Sequence, residues 1–115
     1  MNSSIDQRGD LTLVRPQGRI DFEAAAAFQG LLDQAMAQTT QRPATLVIDC
    51  TAMDYVSSAG LRVFLMTARA AKQAGVDFVV CALQPSVKEV FDVSGFSRII
   101  DIRPDAAAAG VLPGH

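Results

Sequence analysis

Apolar runs and helically spaced segments alternate through the second half of the chain, and this alternation constrains the fold more than any other feature. Strands are predicted at residues 45–50 and 76–82, which are rich in β-branched and other apolar residues. Helices are predicted at about 58–73 and 84–95, and a short strand follows at 98–103. Strands separated by amphipathic helices lie parallel and are joined by right-handed crossovers. The pattern therefore predicts an α/β fold.

The first half adds an antiparallel element to this fold. Residues 11–15 (LTLVR) alternate as a half-buried strand, and the turn residues 16–18 (PQG) lead into residues 19–21, which could pair with that strand as a hairpin. A helix with one apolar face is expected from about 22 to 39, with Asp21 as the candidate N-cap. We therefore expect a single α/β domain with a mixed β-sheet, an N-terminal hairpin and alternating helices.

Size and composition support one packed domain. The chain has 115 residues, of which 50% are hydrophobic and 19% are charged, and this suits a single hydrophobic core. We expect a flexible N-terminus over residues 1–8, the domain over 9–104, and a short helix or frayed tail over 105–115. No apolar segment approaches the roughly 18 residues of a membrane span, and no secretory signal is recognisable, so a cytoplasmic location is the default expectation.

Charge and cysteine usage exclude several kinds of partner. The formal net charge is -2, and the ten Lys and Arg residues are scattered, so nucleic acid is not expected as a partner. A membrane is not expected either, because no apolar segment is long enough to span one. Cys50 and Cys81 each lie near the end of an apolar strand, with no CxxC spacing and no neighbouring His. We therefore predict buried free thiols and no metal site.

Catalytic motifs are missing from the sequence. Residues 57–60 (SSAG) lack the first glycine of a Gly-x-Ser-x-Gly elbow, and the only histidine is His115, so a Ser-His-Asp arrangement has no base. The sequence contains neither a P-loop nor a Gly-x-Gly-x-x-Gly motif. The chain is therefore expected not to be an enzyme and to bind no cofactor.

Two adjacent serines, Ser57 and Ser58, stand between the strand at 45–50 and the helix that follows it. Serine is a favourable N-cap, and the local sequence alone favours this interpretation. A serine at a helix start can also act as a phosphorylation switch, because a phosphate there meets unpaired N–H groups and the positive end of the helix dipole. Loops that follow parallel strands gather at one end of a sheet, so Asp21 is expected near these serines.

The residues around these serines are part of a longer pattern. It comprises residues 55–61 (YVSSAGL), preceded by 18–21 (GRID) and 46–50 (LVIDC) and followed by 79–83 (VVCAL) and 87–96 (VKEVFDVSGF). In this order, and over nearly the whole chain, the pattern closely resembles the STAS domain of bacterial anti-sigma factor antagonists. Several matched segments are far more specific than one short motif.

The resemblance implies a protein-interaction switch that phosphorylation controls. In that family the unphosphorylated domain binds an anti-sigma factor that is also a serine kinase of the histidine-kinase-like ATPase fold, and this frees the sigma factor. Phosphorylation of the serine at the helix start ends the interaction, and a PP2C-type phosphatase restores it. The phosphoacceptor falls on Ser58, while Ser57, the less favoured site, stands where well-known members carry aspartate. The expected partner-binding residues are Asp21, Ser57, Ser58, Gly60, Leu61 and Arg62.

Other interpretations of these residues stay open on the sequence alone. The missing side chain of Gly60 could weaken the first helical turn or let a partner approach closely. The chain could also be a STAS adaptor subunit of another assembly, such as a lipid-transport ABC system, in which Ser58 need not be modified. A third alternative is a module that binds a small anionic ligand at the helix start.

Overall fold

A computed structural model of the chain describes residues 3–39 and 44–111. The strands within these residues are β1 (Ser4–Arg8), β2 (Leu11–Arg15), β3 (Gly18–Ile20), β4 (Thr45–Asp49), β5 (Met53–Val56), β6 (Asp77–Cys81) and β7 (Asp101–Arg103). The helices are α1 (Ala25–Gln38), α2 (Ser58–Ala74) and α3 (Pro85–Val93), with a 3-10 turn at Phe96–Arg98.

The main sheet has five strands in the order β1-β2-β4-β6-β7. Strand β1 is antiparallel to β2, and the other neighbouring pairs are parallel. The predicted α/β fold with a mixed sheet, an N-terminal hairpin and alternating helices is therefore confirmed, although the hairpin is built from other residues than expected.

The hairpin joins β1 to β2, whereas the sequence predicted that residues 11–15 would pair with 19–21. Residues Ser4–Arg8, which fall within the predicted flexible N-terminus of residues 1–8, pair one for one with Leu11–Arg15. Gly9 occupies the intervening turn at φ +64°, a conformation that glycine adopts without steric cost. Beyond Pro16 the chain leaves the main sheet, and β3 pairs in parallel with β5 as a separate two-stranded sheet.

The core lies between the main sheet and the three helices. Each helix contributes one fully buried phenylalanine: Phe28 from α1, Phe64 from α2 and Phe91 from α3. The ring centroids of Phe28 and Phe64 are 5.1 Å apart, and those of Phe64 and Phe91 are 5.2 Å apart. Tilted and edge-on rings at such distances are favourable aromatic contacts. One aromatic row therefore joins the three helices.

The opposite face of the sheet is covered by the chain after β7. Val111 is buried against Leu13, Val47, Val79 and Cys81. Residues 106–110 form hydrogen-bonded turns, in the segment for which the sequence left open a short helix or a frayed tail. The predicted strand at 98–103 shortens to Asp101–Arg103, since the 3-10 turn takes up its first residue. Residues 112–115 of the predicted tail lie outside the described residues.

The helix ends follow their local sequence. Gly75 ends α2 with φ +72°, as predicted from its position after the apolar run. Pro85 is the first residue of α3, where its missing N–H costs nothing. Strands β4 and β6 also lie where the sequence predicted them. These elements fix the start of α2, where the two serines lie.

Candidate functional site

The two-stranded sheet holds the beginnings of α1 and α2 side by side. Ile20 and Val56, the last residues of β3 and β5, are register partners. The Ser57 N–H donates a hydrogen bond to the Ile20 carbonyl oxygen, with an N···O distance of 2.8 Å. The residues that follow the two strands, Asp21 and Ser57, are therefore brought to the same end of the small sheet.

Ser57 is the N-cap of α2. Its backbone is extended (φ -81°, ψ 171°), and its Oγ accepts a hydrogen bond of 3.1 Å from the Gly60 N–H. This contact satisfies one of the N–H groups that a helix start leaves unpaired. The capping role that the sequence assigned to either serine is thus filled by Ser57.

Ser58 is the first residue of α2 and is exposed. Its hydroxyl has no hydrogen-bond partner among the described residues. The two adjacent serines therefore differ in what their hydroxyls do, because one holds the helix start together while the other faces solvent.

Gly60 and Leu61, both predicted to contact a partner, are buried instead. A Cβ added to Gly60 would lie 2.8 Å from Val56 Cγ2 and 2.9 Å from Ile20 Cγ2. Real Cβ atoms do not approach carbon atoms that closely, so the missing side chain serves the packing of α2 on the small sheet. Gly60 therefore has a packing role, and contact of a partner with Gly60 or Leu61 stays a prediction.

Asp21 closes the turn that precedes α1. Its Oδ1 accepts a hydrogen bond of 2.9 Å from the Ala24 N–H, and its carbonyl oxygen accepts one of 3.1 Å from the Ala25 N–H. Helix α1 therefore begins at Ala25, three residues later than the sequence predicted, and its N-cap is Ala24 and not the predicted Asp21, whose carboxylate closes the preceding turn instead. Asp21 remains partly exposed.

Two arginine side chains near the site have different surroundings. Arg62 is exposed on α2, one helical turn after Ser58 and on the same face. Arg19 on β3 lies over the ring of Tyr55 on β5, with 4.1 Å between its guanidinium carbon and the ring centroid. Sequence reasoning missed this cation–π pair because it did not predict β5, whose register places the two residues opposite one another.

Sequence reasoning also missed Phe22, whose side chain is 81% exposed. It was placed in the first turn of a helix, and only the delayed start of α1 leaves it in the preceding turn beside Asp21. An aromatic residue directly after a strand-ending Ile-Asp pair is the signal that could have identified it.

The cysteines lie apart from this site and are free thiols, as predicted. Cys50 packs in the core between the sheet and the helices, whereas Cys81 faces the opposite side of the sheet. Burial raises the pKa of both thiols, and that of Cys81 rises from 9.0 to about 12. Within residues 3–39 and 44–111 no cluster of His, Cys, Asp and Glu could hold a metal ion. No helix in the same residues is long and apolar enough to cross a membrane.

Comparisons with known proteins point to one family from both sequence and structure. A family model described as the STAS domain matches residues 2–109. The candidate anti-sigma factor antagonist BtrV of Bordetella bronchiseptica is 38% identical over 103 residues, covering 79% of this chain and 89% of that protein. A crystal structure of a candidate anti-sigma factor antagonist from Thermotoga maritima gives a TM-score of 0.83 at 15% identity, with 93% of this chain and 90% of that chain covered. The antagonist SpoIIAA in its unphosphorylated form gives a TM-score of 0.69 at 13% identity, with 95% and 94% covered.

The chain therefore belongs to the STAS domain family, and the predicted resemblance is confirmed. Its relatives are named anti-sigma factor antagonists, which are regulatory proteins and not enzymes, in agreement with the non-enzymatic function expected from the sequence.

Proposed function

We propose that this chain is an anti-sigma factor antagonist that phosphorylation of Ser58 switches off. The unphosphorylated chain binds an anti-sigma factor that is also a serine kinase of the histidine-kinase-like ATPase fold, and the sigma factor is released. Phosphorylation of Ser58 by that kinase ends the interaction, and a PP2C-type phosphatase restores it. The cytoplasm is the compartment in which such a cycle operates.

The division of roles between the two serines carries this proposal. A kinase must reach the hydroxyl that it modifies, and Ser58 is exposed while the Ser57 Oγ is engaged with the Gly60 N–H. Modification of Ser57 would place a phosphate at the cap and disturb that contact, whereas modification of Ser58 leaves the cap in place. The structure thus favours Ser58 as the phosphoacceptor on grounds separate from the family resemblance.

Phosphorylation at this position is expected to change the surface without unfolding the domain. A phosphoserine adds a charge of about -1.5 to -2 and three acceptor oxygens, and the positive end of the helix dipole favours negative charge there. Arg62 lies one turn further along the same face, where its positive charge also attracts a phosphate on Ser58. The loss of binding is therefore attributed to a bulky, strongly hydrated group at the docking surface. A loss of ten- to a thousandfold in affinity requires only about 1.4 to 4 kcal/mol.

The two alternatives have less support than the antagonist function. A site for a small anion at the start of α2 would draw on the N–H groups there, and the Ser57 Oγ takes up one of them, that of Gly60. An adaptor subunit of a transporter is less favoured, because the chain matches 89% of the length of BtrV, a protein named as a candidate anti-sigma factor antagonist.

The test is a phosphorylation assay with matched serine variants. The chain, Ser58→Ala and Ser57→Ala are each incubated with ATP and a purified anti-sigma factor kinase from the same host, and mass spectrometry maps the phosphosite. We expect modification of the original chain and of Ser57→Ala at Ser58, and none of Ser58→Ala. Binding to the kinase should persist in Ser58→Ala and weaken in Ser58→Asp. A phosphate found only on Ser57, or unchanged modification of Ser58→Ala, would refute the assignment.

A further inference from the structure

Phe22 is the most exposed large apolar side chain beside the candidate site, with 81% of its surface accessible. Exposed apolar residues are common on protein surfaces, so exposure alone assigns no role. Val93 on α3, which is 83% exposed, shows that this chain tolerates such residues elsewhere. Phe22 is distinguished by the hydrogen-bonded turn that contains it.

The backbone on both sides of Phe22 is fixed by hydrogen bonds. The Asp21 carboxylate and carbonyl accept from the Ala24 and Ala25 N–H groups, and these two contacts close the turn that contains Phe22. Partners bind more tightly when the contacting group is already held in place, because less conformational entropy is lost on association. The backbone of Phe22 is therefore held in place before a partner binds, and aromatic residues often dominate the binding energy of an interface.

The same turn is tied to the serine segment. The Ile20 carbonyl oxygen accepts the Ser57 N–H, and Ile20 is the register partner of Val56. Phe22 therefore lies two residues after Ile20, the last residue of β3, and Ser58 lies two residues after Val56, the last residue of β5. A partner that covers Ser58 is in position to cover Phe22 as well.

We infer that Phe22 is the hydrophobic anchor of the partner-binding surface and inserts into an apolar cleft of the anti-sigma factor. The inference rests on the proposed function and adds the residue that supplies most of the apolar contact. Asp21 and Glu23 are the chain neighbours of Phe22; Asp21 is partly exposed and Glu23 is exposed. The rim of the cleft is therefore expected to carry hydrogen-bond donors or basic groups, because carboxylates there would repel these two residues.

The test compares Phe22→Ala with Val93→Ala, which removes a similarly exposed apolar side chain from another element. Isothermal titration calorimetry measures the binding of each variant to the purified anti-sigma factor kinase of the phosphorylation assay. We expect Phe22→Ala to weaken binding by about 10- to 100-fold, as truncation of an aromatic anchor does. Phe22→Leu should retain part of the affinity, and Val93→Ala should stay within about twofold of the original chain.

We expect equal urea midpoints for the variants, because both side chains are exposed. Equal midpoints will show that the substitutions leave the fold unaffected. Binding of Phe22→Ala within twofold of the original chain would overturn the inference and leave the proposed function standing. An equal loss in Val93→Ala would also overturn it, because the contact would then not be specific to Phe22. Failure of the original chain to bind the kinase would overturn the proposed function and the inference together.

Discussion

Replacing Gly60 by alanine should destabilise the domain, although alanine is normally the better helix former. The added Cβ would lie 2.8 Å from Val56 Cγ2, 2.9 Å from Ile20 Cγ2 and 3.2 Å from the Ile20 carbonyl oxygen. Optimal separation between carbon atoms is about 3.5–4.0 Å, so α2 or the small sheet must move by several tenths of an ångström or more. Overpacking of this kind typically costs about 1–3 kcal/mol.

The helix propensity of alanine offsets part of that cost. Replacement of glycine by alanine inside a helix contributes about 0.5–1 kcal/mol, so the net loss for Gly60→Ala spans about 0–2.5 kcal/mol, and we expect about 1 kcal/mol. Gly30 in α1 provides a matched control, because it is exposed and a Cβ there would meet nothing within 4 Å. Gly30→Ala should therefore gain about 0.5–1 kcal/mol, the opposite sign for the same chemical change.

Urea unfolding followed by circular dichroism measures both free energies, and equal slopes will show that the unfolded states are comparable. For a domain of this size about 1 kcal/mol corresponds to roughly 4 °C in the melting temperature, so thermal unfolding gives an independent reading. A Gly60→Ala variant that is as stable as the original chain would refute the packing argument. The movement of α2 should also weaken partner binding, which Gly30→Ala should leave unchanged.

Three further predictions concern hydroxyl and thiol groups. Ser57→Ala should lower the free energy of unfolding by about 1 kcal/mol through loss of the cap. Ser58→Ala should change it by less than about 0.5 kcal/mol, and equal losses for the two variants in urea titrations would contradict the assigned roles. Thr67→Val should raise the melting temperature, because the buried Thr67 hydroxyl has no partner in the described part of the chain, and a lower melting temperature would show that this hydroxyl is satisfied. The raised pKa values of Cys50 and Cys81 mean that the native state keeps protons which the unfolded chain releases, so stability should fall as pH rises above 9.0, and for Cys81 the fall should continue to about 12. The slope is at most about 1.4 kcal/mol per pH unit for each thiol, and a Cys81→Ala variant with an unchanged slope would count against this account.

The helices and central strands were predictable because each has a strong local signal. The β-branched run at 45–50 and the helical spacing after Ser58 differ clearly in period, and Gly75 marks the end of α2. The aromatic row of Phe28, Phe64 and Phe91 then follows from burying the apolar faces of the three helices on one side of the sheet.

The small sheet and the first strand were not predictable for a different reason. Strand β3 has three residues and β5 has four, so neither is long enough to show a period of two. Strand β1 (SIDQR) is mostly polar and is held by its pairing with β2, with Ile5 packed against the core. Such segments are determined by tertiary pairing, which local propensity does not encode.

The site was predictable as a segment and less so as a set of side chains. The sequence placed Asp21 and the two serines at one end of the domain, because loops gather at the carboxyl ends of parallel strands. Which serine caps the helix, and that Gly60 faces inward, depend on where α2 begins and on its contact with Ile20. These are details of packing that the sequence pattern leaves open.

The capping of α2 by Ser57 has a consequence for how this protein can evolve. Because Ser57 already stabilises the start of the helix, the residue at position 58 contributes little to folding and can be exchanged cheaply. Under the proposed function, alanine there would give a permanently active regulator, aspartate a permanently weakened one, and serine one that answers to a kinase. A lineage can therefore gain, lose or fix the response to a signal through a single substitution, without compensating changes in the core.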